Sequence, residues 1–298
     1  MTDARPDSHM AAELASQPDL WQRAADATDL QARLPERGAR VAVIGCGTSW
    51  FIAQAYAWLR EAGGYGETDA FAASEAPVDR DYDAVVALTR SGTTTEVLDF
   101  VTRLNGSVRT IGVIGDEESP LVARVDDAIT LPFADEQSVV QTRFATTALA
   151  LFRASLGESL DGAVADARTA LAEELAPELV DAEQYTFLGR GWSYGLAQEA
   201  ALKMREASQS WTESYPSMEY RHGPLAIAAP GRVTWQFGAA PEGLAADVAA
   251  TGARFEQGRL DPMAELVRVH RVALARAEAR GLDPDRPRSL TRSVILGS

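Results

Sequence analysis

The sequence predicts an α/β fold of two similar units, each a parallel sheet flanked by helices. Three observations predict it. A short apolar run, a glycine turn and a helical stretch occur together twice, at a constant offset of 144 residues. Apolar runs of strand length then alternate with helical stretches, which implies parallel strands covered on both faces. The length, 298 residues, suits two medium domains.

The repeat aligns Ile44-Gly45-Cys46-Gly47-Thr48-Ser49 with Leu188-Gly189-Arg190-Gly191-Trp192-Ser193 and continues to Ala53-Gln54 and Ala197-Gln198. Each copy follows an apolar run, Val41–Ile44 or Tyr185–Leu188, and opens a helix. Further strands are expected in the first half at 68–73, 84–88, 110–114 and 128–131, with helices at 49–61, 94–104 and 138–156. Residues 160–182 are alanine-rich, acidic and helical, and read as the connection between halves. The second half carries helices at 192–208, 244–254 and 262–280 and a strand at 232–237. Its later strands are hard to place, so it looks abbreviated. The tail from Asp283 to Ser293 is punctuated by proline and has no helical period.

A formal charge of −15 and a pI near 4.7 argue against nucleic acid or an anionic membrane as partner. An anionic small ligand is compatible only with a local site. Cys46 is the single cysteine, so no intrachain disulfide framework exists. No run of about 18 apolar residues is present, and the start of the chain lacks the apolar core of a signal peptide. A cytoplasmic protein is the expectation.

Two segments point to chemistry. The chain has one lysine among 28 lysines and arginines, in Glu199-Ala-Ala-Leu-Lys203-Met-Arg-Glu206. Arginine replaces lysine readily where charge alone matters, but not where a compact ammonium or a labile proton is needed. Glu199, Lys203 and Glu206 fall within about 60° of one another around a helix, and His222 follows in Tyr220-Arg-His-Gly-Pro. Two carboxylates, an amine and an imidazole are parts for proton transfer. The bland alternative is one surface lysine surviving by chance. The second segment, Thr89-Arg90-Ser91-Gly92-Thr93-Thr94-Thr95, joins a strand to a helix with five hydroxyls. Backbone amides and hydroxyls at a helix N-terminus hold phosphate without lysine. A capping box through Thr93 or Thr94 and Glu96 needs only one of those hydroxyls. In a parallel sheet Ser49 joins the same site, because such sites collect at the carboxyl ends of strands.

Other features read blandly. The Gly-x-Gly turns lack the third glycine and the acidic partner of a dinucleotide site. Cys46 reads as packing, the six tryptophans as core or interface anchors, His9 as part of a flexible tail, and His270 as solvent-facing on an arginine-rich helix. No histidine or cysteine spacing supports a metal, and no cofactor is expected.

Taken in order, these motifs resemble the tandem SIS (sugar isomerase) family, in particular the isomerase half of glucosamine-6-phosphate synthase. Residues 10–18 look like the family's opening helix, 45–49 and 88–94 like its two phosphosugar loops, 136–147 like its next ligand segment, 199–206 and 220–225 like its catalytic helix and histidine loop, and 285–294 like its C-terminal tail. The resemblance implies two Rossmann-like, flavodoxin-like subdomains at 31–160 and 161–282, preceded by a helical segment at 1–30 and followed by an active-site tail at 283–298. It implies that Glu206 moves a proton between C1 and C2 and that Glu199 and Lys203 orient hydroxyls and the base. It assigns ring opening to a His222 donated by the neighbouring subunit of a homodimer. It gives the sugar phosphate to Thr48, Ser49, Thr89, the Arg90 amide, Ser91 and Thr94, with Val139, Gln141 and Arg292 as further contacts.

Two departures matter. The chain is too short to hold the synthase's glutaminase domain, so no ammonia from glutamine is expected. The tail position where the synthase has a Schiff-base lysine reads Arg292, and a guanidinium stays protonated and forms no imine. A substrate bringing its own amine needs no such lysine. The sequence therefore favours an amino-sugar phosphate deaminase or deglycase, with aldose–ketose isomerisation second and a non-catalytic phosphosugar sensor third.

Overall fold

The computed structural model describes residues 8–297. The chain divides into two compact units, one of residues 19–135, 143–161 and 291–297, the other of 8–18, 136–142 and 162–290. The first contains a five-stranded sheet and the second a four-stranded one.

The chain opens with helix α1 (His9–Asp26) and the short α2 (Thr28–Gln31). The backbone NH groups of His9 and Met10 donate to the Asp285 carboxylate, both at 2.8 Å. His9 therefore begins a helix anchored at its N-terminus, where a carboxylate is favoured, rather than lying in a flexible tail as expected; residues 1–7 lie outside the described residues.

The first sheet is built from β1 (Val41–Gly45), β2 (Thr68–Ala72), β3 (Ala84–Thr89), β4 (Arg109–Ile114) and β5 (Asp127–Thr130). Its order is β2-β1-β3-β4-β5, parallel throughout. β1 and β3 are buried at every position, as expected of strands covered on both faces. Helix α3 (Thr48–Ala62) follows β1 and packs on α5 (Arg143–Ser155), with Tyr56 stacked on Phe152. Helix α4 (Thr95–Leu104) follows β3. It buries Val97, Phe100, Val101 and Leu104 against Ile44, Val85 and Ala87, an i, i+3, i+4, i+7 stripe, and ends at Asn105 in the left-handed region. α5 starts at Arg143, five residues later than the sequence suggests. Residues before it are spent on side-chain bonds: the Thr142 amide and hydroxyl donate to the Glu136 carboxylate.

The second sheet contains β6 (Gln184–Gly189), β7 (Trp211–Pro216), β8 (Arg232–Gln236) and β9 (Arg254–Gln257), parallel, in the order β7-β6-β8-β9. The topology repeats the first sheet without its fifth strand, so the abbreviated second half is borne out. The alanine-rich connection splits into α6 (Asp161–Ala172) and α7 (Pro177–Asp181). Helix α8 (Ser193–Ser208) follows β6, and α9 (Leu244–Ala250) follows β8. α9 is shorter than expected because residues 254–257 pair with β8 as β9. α10 (Pro262–Ala279) opens with Asp261, whose side chain accepts the Met263 amide at 2.9 Å, and Pro262 in the first turn. It packs along α8.

α10 corrects one expectation. Its arginines do not mark a solvent face. Arg268 pairs with Glu173, Glu256 and Glu265, Arg271 donates to the Ala170 and Glu173 carbonyls, and Arg276 reaches Ser210. Guanidiniums satisfied internally let the helix be buried around most of its girth, and His270 is buried with it. Of the tryptophans, Trp21 and Trp235 are core residues, while Trp58 and Trp211 are exposed.

Candidate active site

In the first unit, the two loops expected from the sequence to hold a phosphosugar leave the carboxyl ends of adjacent strands. β1 pairs with β3, and β2 lies on the other side of β1, so the chain order reverses between β1 and β3. Open α/β sheets bind ligands at that point. The turn after β1 depends on two glycines. A Cβ at Gly45 would stand 2.7 Å from the Ser49 backbone, and Gly47 has φ +53°. This brings Thr48 and Ser49 into the first turn of α3, both buried.

The loop after β3 places Thr89, Arg90 and Ser91 in buried positions. The Thr89 hydroxyl accepts the Gly92 amide at 3.2 Å and the Ser91 hydroxyl accepts the Thr93 amide at 3.3 Å. Thr94 is the N-cap of α4 by backbone conformation, but its side chain makes no cap hydrogen bond. The hydroxyls of Thr93 and Thr94 instead meet the Ser293 hydroxyl at 2.9 and 3.4 Å. The Thr95 amide donates to the Val294 carbonyl, and the Arg90 guanidinium to the Arg292 carbonyl at 3.0 Å. The tail thus lies along the N-terminus of α4. Arg292 itself is ion-paired with Asp135, one terminal nitrogen standing 2.5 and 2.7 Å from the two carboxylate oxygens. Asp135 and Ser293 were not singled out by sequence; the only signal was their nearness to named tail and loop residues.

Cys46 packs against the core of this sheet. Burial, with the Glu96 carboxylate adding to it, pushes its thiol up to about 11, so it is not a thiolate at neutral pH.

In the second unit, α8 brings together the triad expected from its spacing. Glu199 is fully buried, Lys203 is 1% exposed, and the Glu206 side chain is 19% exposed. The Lys203 ammonium stands 3.6 Å from Glu199 Oε1 and in close hydrogen-bond contact with Glu206 Oε2. An ammonium buried this deeply is tolerable because carboxylates flank it. Of the three, Glu206 is the one open to a ligand. The chance-survivor reading of Lys203, as a surface residue, does not fit its burial.

His222 is exposed, on a 3-10 turn over Glu219–His222 that ends at Gly223, φ +139°. Among the described residues, no hydrogen bond or ion pair joins it to the α8 triad. In the segment 136–142, Gln141 is nine-tenths buried, and its Oε1 has no hydrogen-bond partner among the described residues. The Val139 amide is taken by the Asp285 carbonyl. No sequence signal marks the pairing of Gln17 with His270. Gln17 Nε2 lies 3.4 Å from His270 Nδ1, both side chains fully buried.

No helix among the described residues is long and apolar enough to cross a membrane. No group of metal-binding side chains occurs among them.

No family model matches the sequence. Individual relatives do. Glutamine–fructose-6-phosphate aminotransferase (isomerizing) from Gloeobacter violaceus is 29% identical over 315 residues, covering 86% of this chain and 52% of that protein. The Aeropyrum pernix protein of the same name is 31% identical over 266 residues, covering 71% and 43%. The chain spans about half the length of the curated relatives it matches. Among solved structures, glucosamine-6-phosphate deaminase from Thermotoga maritima superposes with a TM-score of 0.81 at 24% identity, over 97% of this chain and all of the other. Tagatose-6-phosphate ketose/aldose isomerase from Escherichia coli gives 0.77 at 19%, over 93% and 95%.

Proposed function

We propose that this chain, a tandem SIS protein in its sequence relatives and fold, is a phosphosugar enzyme that moves a proton between C1 and C2 of an open-chain sugar phosphate. The observation that carries this is the α8 triad: a carboxylate with an open side, held by an ammonium that a second, buried carboxylate retains. Glu206 is the base. Lys203 fixes its rotamer and supplies the adjacent positive charge that favours an enediol or enaminol oxygen as it forms. The hydroxyl-rich loop after β3 and the turn at Ser49 hold the phosphate, which displaces the Ser293 hydroxyl from Thr93 and Thr94. His222, exposed on its own chain, serves ring opening in the site of a neighbouring subunit.

The favoured reaction is release of ammonia or an amine from an amino-sugar phosphate. Glu206 takes the proton from C2 of a 2-amino aldose, or from C1 of a 1-amino ketose, and returns it to the other carbon. The C–N bond becomes a C=N bond, water adds to it, and the C–N bond then breaks: the water's oxygen stays on carbon as the carbonyl and both its hydrogens leave on the nitrogen as ammonia or the amine. No protein amine is required, which suits an Arg292 committed to Asp135. Isomerisation of a neutral aldose or ketose phosphate uses the same base and is the second reading.

The test is a panel of phosphorylated amino sugars, Amadori-type phosphates and simple hexose 6-phosphates, assayed for amine release and for aldose–ketose exchange. Amine release with little exchange supports the first reading. Exchange alone supports the second. Binding without either supports a sensor and sinks both.

A further inference from the structure

The hydroxyl-rich loop after β3 rests on residues 115–119, the turn after β4. The Gly115 amide donates to the Thr89 and Arg90 carbonyls at 3.3 and 3.1 Å, and the Asp116 amide to the Arg90 carbonyl at 2.9 Å. Gly115 has no room for a side chain: a Cβ there would stand 2.8 Å from the Arg90 carbonyl oxygen. The turn then closes on itself. Asp116 Oδ1 accepts the Glu118 amide at 3.0 Å, and the Asp116 carbonyl accepts the Ser119 amide at 3.2 Å. This brings Ser119 against Gly92, in the middle of the loop. Gly92 has φ +59°, and a Cβ on it would stand 2.1 Å from Ser119 Oγ and 2.5 Å from Ser119 Cβ. Residue 92 is therefore glycine for two reasons, conformation and contact.

Ser119 is 6% exposed, and its hydroxyl has no hydrogen-bond partner among the described residues. An alanine would pack on Gly92 through the same Cβ without desolvating a hydroxyl. The cost of keeping a serine points to a partner that the loop supplies in another arrangement. The Gly92 amide now donates to the Thr89 hydroxyl at 3.2 Å, a long bond that a charged acceptor replaces with a stronger one. The peptide is planar and trans, so its N–H and C=O point to opposite sides. As the Gly92 amide turns toward an anion, the Ser91 carbonyl of the same peptide turns away from it. We infer that Ser119 is a positioning residue of this loop: its hydroxyl donates to the Ser91 carbonyl and so holds the Gly92 amide on the anion.

This deepens the proposed function and rests on its assignment of phosphate to the loop after β3. The test is titration calorimetry with inorganic phosphate and a hexose 6-phosphate, with thermal melts on the same proteins. Ser119→Ala is expected to weaken both ligands by roughly fivefold to tenfold, the loss of one hydrogen bond. Its melting temperature should stay level or rise slightly, because the change removes a desolvated hydroxyl that has no partner. A residue that only packs would do the opposite, lowering the melting temperature and sparing affinity. The contact is tested separately. Gly92→Ala should abolish measurable binding, and Ser119→Gly added to it should recover part, leaving the strain of a left-handed alanine. Unchanged affinity in folded Ser119→Ala overturns the inference, as does a Gly92→Ala loss that Ser119→Gly leaves in full. If Ser49→Ala weakens binding and Ser119→Ala does not, the phosphate site stands and only the inference falls. If the parent binds neither ligand at millimolar concentration, the phosphate assignment falls and takes the inference with it.

Discussion

The two glycine turns of this chain begin from one template and end in opposite uses. After β1, the Ser49 hydroxyl makes none of the bonds that Ser193 makes in the second copy. After β6, the Ser193 hydroxyl accepts the Arg190 amide at 3.0 Å and donates to the Arg190 and Phe237 carbonyls. That last bond ties the loop after β6 to the loop after β8, the equivalents of the turn at Ser49 and the hydroxyl-rich loop in the first sheet. The loops differ to match. The one after β3 has five hydroxyls; its counterpart, Phe237-Gly-Ala-Ala-Pro-Glu-Gly243, has none. The helices differ the other way. Glu199, Lys203 and Glu206 of α8 stand where α3 has Ala55, Leu59 and Ala62. A duplicated scaffold has kept its glycines, which the backbone demands, and divided its chemistry. One copy carries a run of hydroxyls and the other a cluster of ionisable groups.

The largest expected effect separates the two helices. Glu206→Gln should lower turnover about a thousandfold, within the range for loss of a general base, while isothermal titration still shows phosphosugar binding. The mirror change, Ala62→Gln on the exposed end of α3, should leave both activity and stability nearly unchanged. Comparable losses from the two would break the division of labour.

Next comes the ammonium. Lys203→Arg keeps the charge but replaces a compact donor with a broad planar one inside a fully buried position. A displacement of Glu206 by about 1 Å should cost roughly a hundredfold in kcat/KM. Leu59→Met at the mirror position should cost less than about 1.5 kcal/mol of stability and no activity. A Lys203→Arg value within about threefold of the parent, or about 0.6 kcal/mol of barrier, would make the lone lysine an accident of composition.

How much of this was legible beforehand follows from which forces act locally. The strand–turn–helix repeat and the i, i+4, i+7 charges are local patterns, and both stand in the structure as read. β7 and β9 were missed because Trp-Thr-Glu-Ser-Tyr-Pro and Arg-Phe-Glu-Gln carry no apolar run; their strand character comes from pairing with β6 and β8. His270 was misread because its flanking arginines suggest solvent, and only tertiary structure shows them satisfied by Glu173, Glu256, Glu265 and backbone carbonyls. The late start of α5 has the same origin. Glu136 takes the Thr142 amide and hydroxyl, a choice that periodicity does not record.

A smaller effect tests the two serines directly. Ser49→Ala should weaken binding of a hexose 6-phosphate by roughly tenfold, the loss of one hydrogen bond to a charged acceptor, with little change in melting temperature. Ser193→Ala should do the reverse. It removes the bonds to Arg190 and Phe237, so it should cost about 1 kcal/mol of stability and leave affinity unchanged. Titration calorimetry and thermal melts on the same two proteins decide it. Equal loss of affinity from both would mean that the second turn also reaches ligand.

The smallest effect concerns the tail, which packs with the first copy. Arg292→Lys restores the residue type that the synthase-like tail uses for an imine. It should nonetheless change kcat/KM on the active phosphosugar by less than about threefold, and it should yield no glutamine-dependent amino-sugar synthesis. The reason lies in what Arg292 does here. Its guanidinium is partly exposed and paired with Asp135, and a lysine can make the same pairing at a loss of about 0.2–1 kcal/mol, the worth of a solvent-screened ion pair. An ammonium held by a carboxylate keeps its proton and is a poor nucleophile. The hydroxyl contacts of Ser293 with Thr93 and Thr94 do not depend on residue 292, so the tail should stay in place. A borohydride-trapped adduct between the amine introduced by Arg292→Lys and a keto sugar phosphate would show that Asp135 does not hold the position. The contrast between a hydroxyl-rich copy and a copy carrying ionisable groups would then have to admit a covalent site in the first.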